Sequence, residues 1–208
     1  MKKFAFLSSK TSLFIIGILV GGLIMASIRV ATYQPVRTHY HSNFALYLNG
    51  VQEKFDNPKY YQEVAICKTS KGISDPQERT HMHNEEAGLV HVHDHAVTWG
   101  QFFNNLGMTI GSDFIIDTDG KKYMGDETNK LNLYIDGQDY TDLTSLANMV
   151  IKDRQKVLVS FGSINDATIK EELKTIPDNA EEANNSKDPS SCAGEEVAPL
   201  SERLRHIF

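Results

Sequence analysis

The clearest pattern along the chain is an uninterrupted apolar run, TSLFIIGILVGGLIMASI, in which no residue from Thr11 to Ile28 is charged. As a helix rising ~1.5 Å per residue, this run spans about 27 Å, close to the hydrocarbon thickness of a bilayer. Downstream the pattern changes to short apolar stretches broken by turn residues. FALYLNGVQEKF, FIIDTDGKKYM and LNLYIDGQDY place Asn49-Gly50, Asp119-Gly120 and Asp136-Gly137 between such stretches. Two-residue type I′ turns need positive φ at both central positions, which these pairs adopt at little cost. Three hairpins are therefore expected, with a further strand at KVLVSFG, Lys156 to Gly162.

Helical signals are fewer. In AVTWGQFFNNLG, Thr98 is placed to cap and Gln101 to complete a capping box. Val97 and Phe102 suit a hydrophobic staple, and Gly107 a left-handed stop. A second helix is predicted from Asp166 to Lys174, capped by Asn165. Together these elements predict an α+β domain, mainly antiparallel β-hairpins with one or two short helices packed on the sheet, behind an N-terminal transmembrane helix. The expected organisation is a cytoplasmic N-terminus (1–10), an anchor (11–30), a tether (31–41), an exported domain (42–175) and an acidic, flexible tail (176–208).

Charge sets the expected orientation. Lys2, Lys3 and Lys10 precede the apolar run, and positive flanks stay cytoplasmic, so the C-terminal domain is expected outside the cytoplasm. Arg29 and Arg37 on the far side weaken this bias. A cleaved signal peptide is the rival reading, but its apolar region runs roughly 7–15 residues before a small-x-small site. The run here is longer, and no clear A-x-A follows it. The chain's net charge is −6, and residues 176–208 carry seven acids against three bases. No basic stripe points to nucleic acid. The expected partners are membrane lipid, through the apolar helix, and an envelope protein.

Cys67 and Cys192 are the two cysteines. An exported setting permits a disulfide between them. Two separate thiols fit the sequence equally well, and no CxxC supports thioredoxin-like chemistry.

The stretch THMHNEEAGLVHVHDH holds five of the eight histidines. His81 and His83 are two apart, as are His91 and His93, so each pair falls on one face of a strand. With residues 84–88 as the loop, His81 pairs directly with His91. A loop two residues longer pairs His83 with His91 and His81 with His93, and either register gathers the rings on one face. His95 shares their parity just before the helix cap. Three or four converging imidazoles suit zinc or copper. The expected ligands are His81, His83, His91 and His93, with His95 in reserve. Glu85, Glu86 and Asp94 are candidates for further ligands or for carboxylates that orient the rings. Met82 has the opposite parity and should point away.

The motifs LYLNG, HVHDHAVTWGQFFNNLG, LNLYIDGQD and KVLVSFG occur in this order. Over roughly residues 43–162 the chain resembles a group of uncharacterised, single-anchor proteins of small-genome bacteria and archaea. The resemblance implies topology and domain extent, and it carries no established activity. The function expected from the residues is non-catalytic: a membrane-anchored, extracytoplasmic binding module whose histidine face holds zinc or copper. Three alternatives use the same residues. The chain is a metal-independent structural or assembly subunit of the envelope, a pH-responsive surface, or a small metallohydrolase with Glu85 or Glu86 as general base.

Overall fold

The computed structural model describes residues 9–33, 38–61, 76–82, 86–141, 146–163, 165–186, 198 and 200–207. The chain divides into two compact units, Met1–Val36 with Glu195–Phe208, and Arg37–Gly194.

In the first unit, helix α1 (Lys10–Thr32) is 23 residues long. By length and composition it is able to cross a membrane. Ser9 caps it by accepting the Ser12 N–H at 3.1 Å. The hydroxyls of Ser27 and Thr32 donate back to Leu23 O and Ile28 O at 2.8 and 2.9 Å, so these polar groups are satisfied within the helix itself. The short helix Leu200–Arg205 (α6) belongs to the same unit, where Arg29 Nε donates to His206 O at 2.8 Å.

The second unit is α+β and is built on a mixed sheet. Its strand order is β3 (Thr80–His81), β4 (Leu89–Val92), β1 (Tyr40–Leu48), β10 (Lys156–Gly162), β8 (Lys130–Ile135) and β9 (Gln138–Asp139). Strand β2 (Val51–Gln52) also pairs with β1. A separate three-stranded sheet comprises β5 (Thr109–Ile110), β6 (Phe114–Ile116) and β7 (Lys122–Met124). The expectation of antiparallel hairpins misses the centre of the main sheet. There β1 and β10 run parallel, from Asn43↔Lys156 to Leu48↔Phe161.

Two of the three predicted turns form as expected. Asn49 (φ 53°) with Gly50 (φ 77°) joins β1 to β2, and Asp136 (φ 51°) with Gly137 (φ 78°) joins β8 to β9. The Asp119-Gly120 pair does not make a two-residue turn. Among its residues only Gly120 has positive φ, and residues 117–121 form a longer loop around Asp117. The Asp117 carboxylate accepts the Asp119 and Lys121 N–H groups, each at 2.9 Å, and this side-chain turn replaces the two-residue turn while β6 and β7 still pair as an antiparallel hairpin.

Strand β1 is buried on both faces, and its alternation sorts two cores. Phe44 and Leu46 join the larger core with Val157, Val159 and helix α3 (Trp99–Asn105). Phe44 meets Phe55 and Phe102 with ring centroids 5.3 and 5.1 Å apart. Helix α3 has the predicted capping box, with Thr98 accepting the Gln101 N–H at 3.3 Å and the Gln101 side chain accepting the Thr98 N–H at 3.1 Å. Ala45 and Tyr47 join a smaller core with Leu158 and Ile169, the latter on helix α4 (Asp166–Leu173). Asn165 caps α4 as predicted.

Two domain limits differ from expectation. Tyr40 and His41, placed in the tether by sequence, open β1. At the other end the fold does not stop at residue 175. Ile176 packs on the smaller core, and helix α5 (Ala180–Asn185) lies against β1 with Ala180 buried. The polar composition of residues 177–186 hid this, because the segment docks through hydrogen bonds more than through apolar area. Asn43 Nδ2 donates to Asn179 Oδ1 at 2.7 Å, and Asn43 Oδ1 accepts the Ala180 N–H at 3.1 Å.

A candidate metal centre of histidines

Three neighbouring strands align three histidines in one row. His81 on β3 pairs with His91 on β4, which pairs on its other side with His41 on β1. Two residues further along the strands, His93 and His39 continue the array. The ladder reaches His93 through its N–H, which donates to Arg79 O at 2.9 Å. Because alternate residues share a face, all five rings gather on the side of the sheet that carries α5. Met82, of opposite parity, is in the larger core as expected.

The cluster is largely dry. His41, His81, His91 and His93 are each no more than 6% exposed, and His39 is half-buried. The His39 and His93 rings stack with centroids 4.8 Å apart, and His81 and His93 with centroids 5.0 Å apart. One ring nitrogen from each of His39, His91 and His93 lies within 4.8 Å of the others. Tetrahedral zinc–nitrogen bonds of ~2.0–2.1 Å require nitrogens about 3.3 Å apart. A shared ion would draw the rings together from this spacing. Three neutral imidazoles are a donor set for zinc or copper.

The array fixes its own proton positions. His81 Nδ1 lies 2.8 Å from Gln77 O, and a carbonyl only accepts, so His81 Nδ1 carries a proton. The short helix α2 (Pro76–Arg79) places that carbonyl one turn ahead of the ring. A metal-bound histidine characteristically donates its second N–H to such a group.

The sequence-derived site is thus partly gathered and partly dispersed. His91 and His93 belong to the close trio, and His81 stacks beside it. His95 does not join them. It is exposed and contacts the Thr38 hydroxyl at 2.9 Å, because the chain leaves β4 after Val92 and turns toward α3. Asp94 is engaged by Arg79 Nε at 2.8 Å instead of by a ring. The His95 backbone N–H and the Arg79 guanidinium hold its carboxyl below the usual carboxylate value, against an opposing effect of burial. Glu86 is exposed in the turn before β4, where its carbonyl accepts the Leu89 N–H. His83, Glu85, Cys67 and Cys192 lie outside the described residues.

His39 and His41 are the functional candidates that sequence reasoning missed. The signal was present: THYHSNF holds a third His-x-His pair, with the spacing of the other two. Assigning residues 31–41 to a tether concealed it.

No protein-family model, no curated protein and no solved structure matches this chain.

Proposed function

We propose that this chain is a single-span membrane protein whose folded domain, outside the cytoplasm, binds a zinc or copper ion on its histidine face and acts as a binding or interaction module of the envelope. The observation that carries the reading is the approach of His39, His91 and His93, on and beside β1 and β4, to within 4.8 Å of one another through one ring nitrogen each. Burial strengthens it, since clustered imidazoles withdrawn from water gain from a cation that uses their lone pairs. The apolar helix α1 and the lysines ahead of it support the membrane orientation.

The test is elemental analysis of the full-length, untagged protein, purified in detergent without chelators. The triple variant His39→Ala, His91→Ala, His93→Ala is prepared beside it. The expected result is near-stoichiometric zinc or copper in the native chain and its loss in the variant. A native chain free of metal after exposure to both ions would refute the reading.

A second reading is favoured by one specific observation. His41 is hydrogen-bonded to both Asn184 and His91, so part of the array ties α5 to the sheet without any ion. In that reading the histidines hold the domain together for assembly, and the triple variant loses stability without losing metal.

A further inference from the structure

One polar chain runs from the surface into the histidine array. Asp153 Oδ1 accepts from Asn184 Nδ2 at 2.7 Å. Asn184 Oδ1 in turn lies 2.9 Å from the His41 backbone N and 2.7 Å from His41 Nδ1. His41 Nε2 lies 2.8 Å from His91 Nδ1. Donor and acceptor roles follow link by link. A carboxylate only accepts, so the Asn184 NH₂ group must face Asp153 and its oxygen must face His41. The His41 backbone N–H, which can only donate, requires the same orientation. His41 Nδ1 therefore donates to Asn184, and the Nε2 of a neutral His41 is left as an acceptor. His91 Nδ1 must then carry the proton, which puts the lone pair of His91 on Nε2.

We propose that Asn184 is a positioning residue for the metal centre: through His41 it fixes the Nδ1–H form of His91 and so presents Nε2 as the ligating atom. The inference rests on the metal reading for its purpose, whereas the proton positions are a property of the protein without metal. It also gives α5 a role. The helix carries the amide that organises the ring, so metal binding and docking of residues 180–185 are coupled, and each favours the other. The position of Asn184 explains why one amide can do this. Pairing of β1 with β10 begins at Asn43, so the His41 N–H lies beyond the end of β10 and takes the Asn184 oxygen in place of a strand partner.

The experiment uses the full-length protein in detergent micelles with ¹⁵N-labelled histidine. Long-range ¹⁵N–¹H correlation in metal-free protein reads which nitrogen of His91 is protonated. Zinc affinity is then measured by chelator competition for the native chain and for Asn184→Leu, with a His41→Ala chain to confirm the assignments. The expected result is an Nδ1–H His91 in the native chain, loss of that single form in Asn184→Leu, and a 10–100-fold weaker zinc affinity in the variant. A merely structural role for Asn184 would lower thermal stability without changing the proton position on His91.

Protonation of His91 on Nε2 in the native chain overturns the proposal, and this result does not depend on whether any variant folds. Unchanged zinc affinity in a folded Asn184→Leu chain also overturns it. If the native chain takes up neither zinc nor copper, the metal reading fails separately. The ¹⁵N spectrum still decides the relay: Nδ1–H in the native chain and its loss in the variant sustain it, and any other pattern ends it.

Discussion

Asn43→Ala removes the side chain that joins the centre of the sheet to α5. Asn43 is 1% exposed, and its amide makes two short contacts with that segment, at 2.7 Å to Asn179 Oδ1 and 3.1 Å from the Ala180 N–H. Truncation to alanine leaves both partner groups without their acceptor or donor. A stranded buried polar group costs about 1–3 kcal/mol, so the pair sets a range of roughly 2–6 kcal/mol if the segment stays in place. Undocking residues 176–186 re-wets both groups and limits the loss, which places the expected cost at about 2–4 kcal/mol. The chain's one tryptophan is a suitable reporter, since Trp99 is fully buried in the larger core. Urea unfolding followed by its fluorescence, on the full-length protein in detergent, measures the global loss. Hydrogen exchange resolved by peptide locates it: residues 176–186 should lose protection while β8 and β10 keep theirs. Zinc affinity should fall as well, because Asn184 leaves with the helix. A stability change below about 0.5 kcal/mol with unaltered exchange in 176–186 would refute this account of the docking.

Other outcomes follow from single contacts. Gly88→Ala should destabilise the domain by about 1–3 kcal/mol in the same urea assay. Gly88 has φ +80°, and an added Cβ would lie 2.7 Å from Phe44 O and 2.9 Å from Pro177 Cγ. Glu172 on α4 is buried, and burial pushes its carboxyl above the usual 4.5 despite the opposing Ser160 hydroxyl. Its folded value is the raised one, so its stabilising contribution is complete below about pH 4.5 and is lost as pH rises through the raised value. Glu172→Gln should abolish that part of the pH dependence, read as urea midpoints on either side of the window. Trp99→Phe should cost about 1–3 kcal/mol, measured by circular dichroism, because it removes the Trp99 Nε1–H that donates to the buried Gln155 Oε1 at 3.1 Å and leaves that oxygen only the longer bond from the Lys152 N–H at 3.4 Å.

The parts of the fold that were legible are those written in a few adjacent residues. Asn49-Gly50 and Asp136-Gly137 specify their turns through backbone φ alone, and Thr98 with Gln101 specifies a helix start through two local hydrogen bonds. The His81–His91 pairing was one of two registers legible in the spacing, because both strands follow one another across a short loop. The parallel β1–β10 pair was not, since nothing local in KVLVSFG states which strand it will join. His41 and His39 became candidates only once β1 was seen beside β4. The docking of α5 was hidden for a different reason. Its attachment depends on the buried amides of Asn43, Asn179 and Asn184, and asparagine in a polar segment reads as loop until its partners are known.

The parallel pair at the centre of the sheet also orders events in time. Strand β1 is the first strand of the chain, yet Phe44 meets its partner Val157 only after more than a hundred further residues have been made. A chain made from its N-terminus onward therefore delivers its most buried strand early and its completing strand late. Until β10 arrives, Phe44, Leu46 and the β10-facing backbone groups of β1 wait in water, and closing so long a loop is slow relative to hairpin formation. The hairpin Val51–Gln52 and the neighbouring β4 cover the other edge of β1 in the interval. The domain's vulnerable moment is thus the passage of residues 49–155, when the edge of β1 that later meets β10 is open to any other extended chain.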